Sequence, residues 1–198
     1  LTEHVFKAPA PVAGSYDMGI AEQAAAFEAA NQAYQNAADL VGSYMGNYGL
    51  SSMVVALLLA FWSSRFTLNR RLVHGCSLLL GGLGFLSMSV VPSPTWLIGS
   101  FVLIGVAWAS ILSMPYALLA GALPAERMGV YMGIFNMFIV IPQIVAATLL
   151  GPTVRHLFDN HAIWALVIAG VSLILGAVAL WRVEESPRVA PAHFAAAH

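Results

Sequence analysis

From Leu72 to Ala125 the chain runs without a single Asp, Glu, Lys or Arg. A helix rising 1.5 Å per residue needs about 20 mostly apolar residues to cross a hydrocarbon core about 30 Å thick. The run is therefore too long for one span, and Pro92 and Pro94 supply the turn that divides it. Three more uncharged runs, Leu40 to Ser64, Met128 to Val154 and His161 to Trp181, are each long enough for one crossing. The pattern predicts an all-α membrane protein with five transmembrane helices, near 40–64, 72–91, 95–122, 128–152 and 161–181. Composition agrees: 9% of the residues are charged, against about 25% in a soluble domain. A membrane β-barrel would need alternating segments of roughly ten residues, and LVIAGVSLILGAVALW (166–181) does not alternate.

The flanking segments read differently. PAPVAG (9–14) has the composition of an irregular loop, and residues 20–39, rich in Ala, Glu and Gln, read as a helix that continues the first span outward. Residues 1–39 thus form an extracytoplasmic loop and outer helix extension. Phe27 and Tyr34, seven apart, give that extension a packing face. Residues 183–198 read as a disordered cytoplasmic tail. Arg65, Arg70, Arg71, Arg127, Arg182 and Arg188 fall in loops on one side and only Lys7 and Arg155 on the other. The positive-inside rule then puts the N-terminus outside and the C-terminus inside a plasma or inner membrane. The chain begins at Leu1 with no signal-peptide pattern and reads as a fragment whose true start lies upstream.

Several kinds of chemistry find no foothold. The basic residues form no patch that could neutralise phosphates, so nucleic acid is not an expected partner. Cys76, the one cysteine, sits in an apolar run and is expected to be a small buried hydrophobe. The histidines show no metal-ligand spacing and read as solvated or interfacial, with His74 near the inner edge. No nucleophile motif, metal set or paired carboxylate appears, so neither an enzyme, a metal site nor a cofactor is expected.

What remains is the polar inventory of the spans, since a polar side chain in hydrocarbon is costly unless it faces a bundle interior or a wet cavity. Asn136 and Gln143 are seven apart, within about 20° on an α-helix, and Pro142 weakens the helix beside them. Uncharged amides both donate and accept hydrogen bonds, which suits a hydroxyl-rich ligand; bonding between neighbouring helices is the competing role. Ser113 and Tyr116 are neighbours at i, i+3 on the third span. Trp108 lies about 140° from Ser113 on an ideal helix and joins that face only if Pro115 distorts it. On the first span Asn47 is a ligand candidate, while Tyr44 and Tyr48 fit an interfacial belt. Gly46, Gly49, Gly75, Gly81, Gly82, Gly84 and Gly105, with Ala109, would permit close helix approach.

AWASILSMPY, LPAERMG and YMGIFNMFIVIPQ, within residues 105–147, resemble the sucrose and maltose, or glycoside-cation symporter, branch of the major facilitator superfamily. The resemblance continues more weakly through HVF (4–6), residues 39–47 and the last span. It implies two six-helix halves with sugar bound between them near the midplane and carried by alternating access, usually with protons. This chain would supply spans eight to twelve, most of the C-terminal half, and would need the missing N-terminal half to transport. By that resemblance Asn47, Trp108, Ser113, Tyr116, Asn136 and Gln143 line the cavity, and Arg65, Arg70, Arg71 and Arg127 belong to cytoplasmic gate loops. The loop SSRFTLNRR departs from the superfamily pattern by placing Asn69 where a Gly is expected. A non-transporting membrane scaffold that keeps the fold is the alternative reading, and a multispan enzyme ranks last.

Overall fold

A computed structural model describes residues 1–123 and 125–183; the expected disordered tail from residue 184 onward lies outside the described residues. Five α-helices carry the fold: α1 (Ala21–Arg65), α2 (Arg70–Ser87), α3 (Leu97–Ala122), α4 (Met128–Leu157) and α5 (Ile163–Ala179). Four of them are long and apolar enough to cross a membrane; α2, with 18 residues and two arginines at its start, is the exception.

Helix boundaries follow local chemistry. Asn69 caps α2, its Oδ1 accepting from the Leu72 N–H at 2.9 Å, which gives that unusual loop residue a structural task. The helix stops at Ser87, short of residue 91, because Val91 precedes Pro92 and is pushed away from helical geometry. Pro115 and Pro142 lie inside α3 and α4 without ending them. Arg155 likewise ends an uncharged run but not α4, which continues to Leu157. It closes where Asp159 and Asn160 take φ of 47° and 64°, a left-handed turn that Asp and Asn tolerate better than most residues. Residues 21–39 do continue the first apolar run as one 45-residue helix, about 67 Å long at 1.5 Å per residue. Tyr16 packs edge-on against Phe27 of this extension, with ring centroids 5.4 Å apart.

The helices pack in the order α1, α3, α2, α5, with α4 touching α3 and α5 only lightly. Glycines set the close contacts. A Cβ on Gly81 would run into Ala107 Cβ, one on Gly82 would meet the Gly170 carbonyl at 2.9 Å, and one on Gly84 the Ser100 carbonyl at 2.8 Å. Gly46 and Gly49, expected in the same role, face open space because their side of α1 meets no other helix. Met88, Leu97, Phe101 and Ile104 form a buried cluster at one end, covered by Leu1, Val5 and Phe6 from the N-terminal segment, with Tyr44 and Tyr48 beside them.

Two residues correct the sequence reading. His74 is buried rather than solvated, its Nδ1 2.8 Å from the hydroxyl of Ser110, which is itself fully buried on α3. Cys76 is exposed rather than buried. A run apolar on every side carries no signal for which face meets protein and which meets lipid, so neither placement could be read from hydropathy. Hydrogen bonds between membrane helices average about 0.6 kcal/mol because the unfolded chain in lipid also finds partners. A double-mutant cycle of His74→Phe and Ser110→Ala should therefore give a coupling of about 1 kcal/mol or less in detergent unfolding.

Candidate functional site

The candidate residues come from three helices, and the structure joins some of them directly. The Tyr116 hydroxyl donates to Asn136 Oδ1 at 2.7 Å, linking α3 to α4. The Phe135 ring stands edge-on to Tyr116 with centroids 5.2 Å apart, so the phenol is held by a ring on one side and an amide at its tip. Ser113, one turn earlier on the same helix, turns its hydroxyl back to the Ala109 carbonyl at 2.7 Å. That leaves the hydroxyl oxygen able to accept one further bond.

Trp108 and Asn47 belong to a second group. The Trp108 indole packs edge-on against Tyr48 of α1, with centroids 6.4 Å apart, and 44% of the residue is exposed. Asn47, next to Tyr48, is half-buried. Trp108 and Ser113 are separated along α3, and the tryptophan's nearest aromatic neighbour comes from α1. Tyr48 was legible only as an interfacial aromatic; its contact with Trp108 depends on how α1 and α3 are offset, which neither helix encodes alone. Phe135 was missed for the same reason.

Heights along the bundle sort the six residues. Measured at 1.5 Å per residue from the helix ends at Arg65, Ala122 and Met128, Tyr116, Asn136 and Ser113 lie about 9–14 Å in. Trp108, Gln143 and Asn47 lie about 20–27 Å in. Gln143 is on the exposed stretch 140–152 of α4 and is not brought to Tyr116. The candidates therefore fall into separate groups, the Tyr116–Asn136 pair with Ser113 one turn away and the Trp108–Tyr48 pair with Asn47 adjacent in sequence, while Gln143 joins neither. Their uncharged donors, acceptors and aromatic faces are of the kind that hydrogen-bond polyols and stack on apolar ring faces.

The arginines gather at one end. Arg70 Nη1 donates to the Ala117 carbonyl of α3 at 2.6 Å, and Arg71 Nη1 to the Val183 carbonyl just beyond α5 at 2.9 Å. The Arg65 guanidinium sits 5.5 Å over the Phe61 ring of its own helix, and Arg127 is exposed at the N-cap of α4. Arg70 and Arg71 thus tie the start of α2 to the closing turns of both its neighbours.

No curated protein and no solved structure matches the chain. The model of the Major Facilitator Superfamily, by contrast, matches residues 12–197. With long apolar helices, an all-helical fold and a match over most of its length, the chain belongs to the major facilitator superfamily, a family of multi-pass membrane transporters.

Proposed function

We propose that this protein carries a hydroxyl-rich solute, a disaccharide such as sucrose or maltose, in symport with protons. In this reading the five helices are all spans, forming most of a C-terminal six-helix half that encloses the substrate together with an N-terminal half. Its arginine end faces the cytoplasm of a plasma or inner membrane. The observation that carries the reading is the set of uncharged polar side chains on α3 and α4, with the Tyr116–Asn136 pair joining the two helices. Asn136, Tyr116, Ser113 and Gln143 are uncharged, and α4, which bears two of them, has no buried residue in its most apolar window whereas half of that of α3 is buried. A helix so uncovered supplies a face for a second half, and its amides match sugar hydroxyls as donors and acceptors alike. Asn47 and Trp108 extend the lining, while Arg65 and Arg127 stand where a cytoplasmic gate would close.

The test is binding of radiolabelled sucrose and maltose to the full-length protein in membranes. A neutral hydrogen bond contributes about 1 kcal/mol net, so Asn136→Ala or Gln143→Ala should each weaken affinity roughly fivefold, and the pair about 30-fold, at unchanged abundance. Reduced abundance with unchanged affinity would favour the scaffold alternative instead.

A further inference from the structure

The Asn136 oxygen that a sugar would use already has a partner. Its bond from Tyr116 is the one side-chain hydrogen bond joining α4 to another helix among the described residues, since Thr148, the other hydroxyl bonded on α4, turns back to Ile144 of its own helix. The Tyr116–Phe135 ring contact falls at the same level, so the attachment of α4 to α3 is concentrated there. Beyond it, residues 140–152 are all exposed. Pro142 and Pro152 each remove a backbone bond from that stretch, and Pro115 does the same in α3 immediately before Tyr116. The helix is thus held at one polar contact and weakened on the far side of it.

We infer that Tyr116 is a positioning residue whose hydroxyl fastens the Asn136 amide, and with it the middle of α4, to α3, and that a ligand hydroxyl taking over the Asn136 oxygen releases that fastening. The identity of the competing hydroxyl rests on the sugar reading; the fastening does not. Exchange of one O–H···O bond for another is nearly balanced, so the switch works in both directions without a deep trap. A ligand shifts the equilibrium only by its differential affinity for the two positions, and a single neutral bond limits that to roughly fivefold.

Spin labels at Leu112→Cys on α3 and Ile144→Cys on α4, both outward-facing positions, in a Cys76→Ser background of the full-length protein would report the separation by double electron–electron resonance. Tyr116→Phe keeps the ring against Phe135 and deletes only the hydroxyl. Without sugar it should broaden the distribution and move it outward by a few ångströms, with no more than the small drop in thermal midpoint that one lost hydrogen bond between membrane helices brings. Saturating sucrose should shift the parent protein's population part of the way toward that distribution, by up to roughly fivefold in the ratio of the two positions, and leave Tyr116→Phe where it is. Sugar-free distributions that coincide for parent and Tyr116→Phe would overturn the inference, as would sucrose that binds without moving the parent. If sucrose does not bind at all while Tyr116→Phe still shifts, the sugar reading falls and the fastening stands.

Discussion

Gly105→Leu should force α1 and α3 apart and remove about 3 kcal/mol of bundle stability, the upper end of the usual cost of overpacking. Even a methyl group at this position would lie 2.5 Å from the Tyr48 carbonyl and 2.8 Å from the Ser51 Cβ and Oγ. The first of these is backbone, which cannot rotate aside as a flexible side chain can, so the whole helix has to move. The Ser51 hydroxyl, which donates to the Val102 carbonyl at 2.9 Å across the same contact, would lose its partner. Gly99→Leu is the matched control: it lies on the same helix and a Cβ there meets nothing within 4 Å. Thermal unfolding of purified protein in detergent should show a large drop for the first substitution and little change for the second. Equal midpoints would mean that the α1–α3 approach is not as close as described.

A comparably large loss is expected from Arg70→Ala combined with Arg71→Ala. Hydrogen bonds involving a charged group contribute about 1.5–3 kcal/mol each, giving roughly 3–6 kcal/mol for the pair if the two act independently. Their acceptors belong to the second-last turn of α3 and to the residue that follows the 3-10 turn Leu180–Arg182, so the two bonds reach the closing ends of both neighbours. The same two charges lie at the positive N-terminal end of α2 and are unfavourable there, so their placement is explained by the neighbours and not by their own helix. Arg70→Lys with Arg71→Lys keeps the charge but loses the rigid donor fork and should fall between parent and double alanine. Unfolding midpoints and membrane abundance measure the series. An undiminished double alanine variant would show that the two arginines do not hold α2, leaving its glycine contacts and the His74–Ser110 bond to do so.

Hydropathy made the helices legible because a bilayer imposes a length on every apolar run, and Pro92, Pro94 and the charged loops mark where runs are cut. The N-terminal extension of α1 was legible from propensity, with Ala, Glu and Gln dominating a stretch free of Gly and Pro. Contacts between helices were not. Tyr116 meeting Asn136, Tyr48 meeting Trp108 and His74 meeting Ser110 all depend on the axial offset of two helices, and periodicity within one helix is silent on that. Glycines were a partial guide: Gly81, Gly82, Gly84 and Gly105 mark real approaches, while Gly46 and Gly49 have the same sequence character and no neighbour. The spacing of Asn136 and Gln143 could not tell that one amide is engaged and the other stands in the exposed stretch.

The unbroken course of α1 has a mechanical consequence. A helix without internal proline transmits tilt along its length, and the Tyr48–Gly105 contact, one of several between α1 and α3, is a close backbone approach that can serve as a fulcrum. Ala21 lies about 40 Å from that fulcrum, so a rocking of about 10° would swing the tip by roughly 7 Å. Geometry alone therefore magnifies any small tilt at the level of Trp108 into a larger displacement at the acidic, amide-rich tip.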